Sequence, residues 1–398
     1  MAGTSSQKPV VFLALASEGM GHATRAAPLI SKLRERGYDV EVFCGGRVAD
    51  YLRKRTGPVN EHFFIPLHYK DNQLDVWTSF KEAFLRLPDA LRQAWNLFWR
   101  MRNEKPVAVI SDFEFMSAWI GWWSRRPVIA LDNMHIVSHG NMPKTRSKKE
   151  EAEKKILERA IFWNQPVVDK VLIQHFWQVG VRADHAAAGK VAFVPCATRP
   201  EVLAKKRQTR TDGAVLVYQT SSTNKDLPGT LRDAARRTGL RFKVYGAGKV
   251  GHDVDNANVE YCAFSEDGFL TDLAHAPFVV VNGGHSTMVE ALALGKPVLS
   301  EPIQKQFEQR ANAIALEQLG VGQGVDKMTA DAIAAFAQKV PAMREAIAHL
   351  ALPIDNDALA DAVEAAFREL NPHAVLPRAP LAPVTNLPVA DDYAMAAE

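Results

Sequence analysis

The sequence predicts an α/β protein built as two doubly wound, Rossmann-like parallel-sheet domains in series. Three observations carry this. Short apolar runs recur, and each feeds a turn and then an amphipathic helical stretch, the order of a βαβ unit. The same order restarts after Arg199-Pro200. The length of 398 residues exceeds one ordinary core and suits two domains of average size.

Residues 10–16, VVFLALA, read as a buried parallel strand because the run is continuously apolar. It ends in the glycine turn Ser17 to His22. A helix follows with Ala26, Ala27, Leu29, Ile30 and Leu33 on one side, and Gly37 closes it before the strand 40–44. Further strands are expected at 63–67, 107–110, 128–131 and 171–173. The polar, basic stretch 199–212 reads as a linker. A second sheet is expected from 214–218, 241–245, 259–262, 278–281 and 297–300. The domains are therefore placed at 1–198 and 213–370. The Pro- and Ala-rich stretch 371–398, which lacks periodicity, is expected to be disordered.

Composition narrows the function. Hydrophobic residues are 47% and charged residues 23% of the chain, ordinary globular values, and the net charge of +3 gives no case for a nucleic-acid binder. Cys44, Cys196 and Cys262 lie far apart without metal-ligand spacing, which suits a reducing compartment. Residues 1–9 lack the apolar run of a signal peptide, and no stretch has the length of a transmembrane helix. The expectation is a cytoplasmic enzyme.

The turn Gly19-Met20-Gly21-His22 sits where a strand feeds a helix, where backbone can approach a ligand and the helix start favours anions. A dinucleotide fingerprint would need a third glycine and an acidic residue ending the second strand. The glycine is missing and Glu41 falls inside the strand, so a dehydrogenase is disfavoured. His22, at the carboxyl edge of the sheet, is the first candidate for a general base, against the plainer reading of a surface histidine capping the turn. Asp112 is the second candidate, or else orients His22.

The second half carries a denser cluster. Asn282-Gly283-Gly284-His285-Ser286-Thr287 follows an apolar run and opens a helix, so backbone N–H groups, hydroxyls and the helix dipole converge as a phosphate site. Glu290, on the same helix, can accept both hydroxyls of a ribose. Gln304, Gln306, Glu308 and Gln309 follow the next strand and match the hydroxyls of a sugar. Diphosphate, ribose and sugar groups thus appear in order. Thr220, Ser221 and Ser222 are expected to border the phosphates, and main-chain groups near Phe264 to read the base.

These residues resemble the GT-B superfamily of glycosyltransferases, most of all the branch with the N-acetylglucosaminyltransferase of peptidoglycan synthesis and the UDP-glycosyltransferases. The matching pieces are Gly19 to His22; Gly283, Gly284, Ser286, Thr287 and Glu290; Gly295 to Pro297; Glu308-Gln309; and Asn312-Ala313. Ser111 to Glu114 and Leu131 to His135 resemble a bacterial subgroup. The resemblance spans roughly residues 9–370. It implies two domains facing each other across a cleft, with the nucleotide sugar on the C-terminal one and Gly21 also near the nucleotide. It implies inversion at the anomeric carbon without metal or cofactor, and a uracil or thymine base. On the acceptor side it points to Glu114, Asp132, Asn133 and His135. No Asp-x-Asp metal motif stands in a suitable loop.

The acceptor is left open. Trp77, Phe80, Phe84, Trp95, Phe98 and Trp99 recur at helical spacing among Lys81, Arg86, Arg92, Arg100 and Arg102. They read as core packing, or as an apolar acceptor groove or a contact with anionic lipid heads at the inner face of a membrane. The run 144–159 reads as a solvated face. Two rivals share the architecture: a UDP-sugar 2-epimerase and a non-catalytic nucleotide-sugar-binding protein.

Overall fold

The computed structural model describes residues 8–62, 68–70, 73–75, 85–186, 189–219 and 226–374. By contact, the described chain divides into two units. Residues 8–62, 85–197 and 353–374 form the first; residues 198–352, with a small hairpin at 68–75, form the second.

The strands of the first unit are β1 (Val10–Leu15), β2 (Asp39–Cys44), β3 (Asn60–Glu61), β6 (Val109–Asp112), β7 (Val128–Asp132), β8 (Lys170–Gln174) and β9 (Val191–Val194); β4 (His68–Lys70) and β5 (Gln73–Asp75) are the hairpin. The seven pair in parallel in the order β3-β2-β1-β6-β7-β8-β9. The chain first runs outward from β1 to β3 and later restarts on the other side at β6. The crevice at the carboxyl ends of β1 and β6 is therefore the topological switch point, where open α/β sheets take ligands.

Helices α1 (Met20–Glu35) and α2 (Gly46–Thr56) cover one face; α3 (Leu87–Glu104) and α4 (Phe115–Trp123) cover the other. Beyond them lie α5 (His135–His139), α6 (Lys148–Asn164) and α7 (Ala183–Ala186). Ile30 and Leu33 of α1 pack with Leu13, Val42 and Ile110, while Leu97, Met101, Met116 and Ile120 of α3 and α4 pack with Phe12, Phe43 and Val109. Alternate strand residues point to opposite faces, so one continuously apolar run feeds both cores.

The second unit repeats the plan with β10 (Val215–Tyr218), β11 (Phe242–Tyr245), β12 (Gly251–Asp253), β13 (Asn256–Cys262), β14 (Val279–Val281), β15 (Val298–Ser300) and β16 (Gly322–Gly324), ordered β12-β13-β11-β10-β14-β15-β16. All pairs are parallel except β12 with β13. Its switch point lies between β10 and β14. Its helices are α8 (Pro200–Lys205), α9 (Leu227–Thr238), α10 (Glu266–His275), α11 (His285–Ala293), α12 (Phe307–Gln318) and α13 (Ala330–His349). Leu231, Ile333 and Phe336 pack against Val217, Val244 and Phe278.

The boundaries differ from the sequence expectation. The second domain was expected to run to 370, but α14 (Asn356–Leu370) returns to the first unit. Leu359, Val363 and Phe367 join the core under α1, Arg36 donates to Glu364 at 2.7 Å, and the Cys196 N–H donates to the Pro353 carbonyl at 2.6 Å. The stretch 199–212 is not a bare linker: it holds α8 and a 3-10 turn, Lys206–Gln208. The edge strands β3, β12 and β16 carried no apolar signal because their faces are polar or glycine. The expected strand 63–67 and residues 375–398 lie outside the described residues.

Candidate nucleotide-binding and catalytic sites

In the first unit, the turn after β1 places Gly19 at φ 84°, a left-handed conformation that glycine adopts at little cost. That turn starts α1 at once and puts His22 in its first turn. One helical turn on, Arg25 comes to the same side. Its guanidinium grips Asp112, at the end of β6, by two hydrogen bonds of 2.9 and 2.5 Å, and donates to Asn133 at 3.0 Å. His22 Nδ1 lies 2.8 Å from Arg25 Nη2 and 3.1 Å from Asp112 Oδ1. All four side chains are buried. Burial alone would raise the Asp112 carboxyl, but the Arg25 and His22 charges outweigh it and hold it at about 2. Asp112 is therefore a firm anion and a weak base.

The residue after Asp112, Phe113, sits at φ 54°, costly for a bulky side chain and a mark of an over-determined turn. Beyond it Glu114 caps α4, accepting from the N–H groups of Met116 at 2.9 Å and Ser117 at 2.7 Å. Burial pushes its carboxyl up, but His62 and Ser117 hold it below the usual range. Asp132, at the end of β7, accepts from both the backbone N–H and Nδ1 of His135. His139 lies tilted between the rings of His135 and His185; burial, with those two rings, pushes it down to about 4. The four expected acceptor-side residues thus do reach the carboxyl edge. All four are buried, Glu114 bonded to the start of α4, Asp132 to His135, and Asn133 to Arg25.

In the second unit the glycine turn falls at the switch point beside β14. Gly283 has φ 137°, and a Cβ there would stand 2.8 Å from Gln309 Cβ, so the turn needs glycine. Asn312 donates to the Gly283 carbonyl at 2.9 Å and pins it. Helix α11 then starts at His285 with Gly284 at its N-cap and no side-chain cap, so Ser286 and Thr287 stand half-buried at a helix start suited to anions. His285 is buried.

Glu290 is buried one turn further on. Arg199 holds it in a two-pronged pair of 2.6 and 2.7 Å, and also pairs with Glu266 at 2.6 Å. In the loop after β15, Lys305 sits at φ 65°. Gln309 accepts from the Ile303 N–H at 3.0 Å and donates to Gln306 at 2.6 Å, while Asn312 also reaches Glu308 at 3.3 Å. Gln309 is buried; Gln306 and Glu308 are half-buried. Phe264, after β13, is exposed. Thr220, Ser221 and Ser222 lie outside the described residues.

Arg25 and Arg199 were missed, and Asn312 was read only as part of a motif, without its hold on the Gly283 carbonyl. Arg25 was legible only as the i+3 partner of His22, and Arg199 was taken as linker.

The two switch points thus carry a buried histidine held by Arg25 and Asp112, and a helix start suited to anions. The profile of glycosyl transferase family 1 matches residues 10–341. The chain belongs to this family. Over 72 residues it is 40% identical to an uncharacterized glycosyltransferase of Methanosarcina mazei, and that stretch is 18% of this chain and 19% of the relative. The chain thus spans about a fifth of the length of the curated relatives it matches. Among solved structures it is similar to MurG of Acinetobacter baumannii, with TM-score 0.57, 15% identity, and 90% of this chain and 99% of that one covered. It is also similar to UGT2 of Phytolacca americana, solved with UDP-2fluoro-glucose and pterostilbene, with TM-score 0.61, 13% identity and coverage of 90% and 99%. At these identities the likeness shows the fold, which is the GT-B architecture expected from the sequence.

Proposed function

We propose that this family 1 protein transfers a sugar from a UDP-sugar to an acceptor hydroxyl, with inversion and with no metal or other cofactor. The observation that carries the reading is the second unit's switch point, where the Gly283 turn, the open start of α11 and the Glu290 carboxylate follow one another. The helix start meets the diphosphate, and Glu290 accepts the ribose hydroxyls beside Arg199. Gln306, Glu308 and Gln309 meet the sugar, and backbone near Phe264 reads the base. The similarity to UGT2, which was solved with a UDP-sugar analogue, supports UDP as the nucleotide.

The first unit supplies the base. The acceptor O–H gives its proton to His22 Nε2, the oxygen forms a bond to the anomeric carbon, and the bond from that carbon to the diphosphate oxygen breaks. The electron pair leaves with UDP, whose charge the start of α11 stabilises. For Nε2 to accept, Nδ1 must carry its hydrogen and donate it to Asp112. The contact at 3.1 Å supports this, with Asp112 as the orienting anion that also stabilises the imidazolium. Gly21 lies on the same turn. Glu114, Asp132, Asn133 and His135 act on the acceptor side by fixing the edge of β6 and β7.

Incubation with a panel of nucleotide sugars and hydroxyl acceptors tests this. The reading expects free UDP to be released only when an acceptor is present. Interconversion of the sugar without release would instead make the protein an epimerase, and binding without turnover a non-catalytic receptor.

A further inference from the structure

The first unit carries an aromatic face that the proposed chemistry does not use. On α3, Leu87, Leu91, Trp95 and Trp99 recur every four residues and all are exposed, while Leu97 and Met101 on the opposite side enter the core. The core-packing reading therefore holds for one side of α3, while Trp77, Phe80 and Phe84 lie outside the described residues. The exposed rings continue across two more helices. Phe98 meets Trp123 of α4 at 5.0 Å, Trp119 meets Trp122 at 6.4 Å, and Trp119 Nε1 donates to the Trp163 carbonyl of α6 at 3.3 Å. Trp95 is 57% exposed, Trp122 54%, Trp123 59% and Trp163 70%. Folded chains rarely leave so many linked indoles in water, and such a patch marks an interaction surface.

The charges around it choose the partner. Across residues 85–105, 122–126 and 144–164, the exposed charged side chains are eleven basic and two acidic. The two acidic ones, Asp89 and Glu104, are already paired with Arg92 and Arg100. The run 144–159, expected to be a plain solvated face, turns its glutamates partly inward and its Lys148, Lys149, Lys155 and Arg159 outward. Indoles suit the headgroup boundary of a bilayer, with apolar ring and N–H donor, and a basic rim is drawn to negative surface potential. No helix among the described residues is long and apolar enough to cross a membrane.

We propose that the exposed face of α3, α4 and α6 docks the protein on an anionic phospholipid surface, with the indoles at headgroup depth and the basic side chains against lipid phosphates. The proposal stands on the first unit alone and does not depend on the nucleotide reading.

Flotation of the full chain with vesicles tests it, comparing phosphatidylcholine alone with phosphatidylcholine containing one third phosphatidylglycerol. Binding is expected only to the anionic vesicles, with a blue shift of tryptophan fluorescence and weakening by salt. The pair Trp95→Ser with Trp123→Ser should weaken it about tenfold or more. Lys148→Glu with Lys149→Glu should weaken it while leaving the melting temperature unchanged, which separates docking from folding. Absence of binding to anionic vesicles, or equal binding to both kinds, overturns the proposal. So does a concentration-dependent dimer that the tryptophan changes abolish, which would make the face a contact between two copies.

Discussion

At the scale of residues, the site turns on who holds whom. Arg25 and Asp112 compete for His22 Nδ1, and the two contacts select opposite tautomers of the imidazole. The Asp112 contact leaves Nε2 free as a base, whereas Arg25 donation to Nδ1 would leave Nε2 protonated. If Nε2 takes the acceptor proton, His22→Ala should slow turnover by about 10²–10⁴-fold, the range for a lost general base. UDP affinity should stay as it was, because the groups proposed to hold UDP are on the second unit. Near-normal turnover of a folded variant would return His22 to a capping role. Arg199 poses the matching question for the nucleotide. By gripping Glu290 it fixes the carboxylate that is to meet the ribose, so Arg199→Met should reduce the preference for UDP over 2′-deoxy-UDP about tenfold, the scale of a charged hydrogen bond. A lower melting temperature with the preference intact would make Arg199 structural only. Glu290 and His22 were legible because residue type and position after an apolar run suffice to propose them. The arginine pairs were not, since Arg199 lies 91 residues from Glu290 and Arg25 87 from Asp112, and the i+3 spacing of Arg25 from His22 was the one local hint.

At the scale of elements, the central strands were readable and the edges were not. A strand buried on both faces is a continuous apolar run, as in β1 and β14, whereas β16 is Gly-Gln-Gly and pairs with β15 only because the fold brings it there. The glycine turn before α11 was readable for the same local reason: a strand feeds a glycine pair, then a helix. What the sequence did not tell is how tightly that turn is built. Gly283→Ala would force a Cβ into a left-handed backbone at φ 137° and against Gln309. We expect it to cost about 1–3 kcal/mol of stability in the second unit and to weaken UDP binding by displacing the start of α11. Thermal melting and calorimetry would check both, and an alanine variant with wild-type stability and affinity would mean that the turn relaxes freely. The loop residues Gln306 and Gln309 were expected to point at a sugar. Gln309 also bonds within the loop, accepting from the Ile303 N–H and donating to Gln306, a use that no side-chain type announces.

At the scale of the whole molecule, the chain is two units of the same plan, and the sequence found both. It misplaced the last helix because α14 is amphipathic wherever it packs; periodicity tells that a helix has an apolar face, not which core that face joins. A chain stopped at Leu352 should therefore lose stability in the first unit by more than about 3 kcal/mol, since it empties the places of Leu359, Val363 and Phe367. It should leave UDP binding in the second unit intact, and differential scanning calorimetry with UDP present would separate the two transitions. Loss in the second unit instead would restore the boundary expected at 370.

The proposed UDP site of the second unit rests on the start of α11 and on Glu290. Titration of UDP into the wild-type protein and into Glu290→Ala by calorimetry tests it most directly. Measurable binding by the wild type and a loss of about 1–3 kcal/mol in the variant are expected, the scale of hydrogen bonds to a charged group. Equal affinity of the two proteins for UDP, or no binding by either, would contradict it.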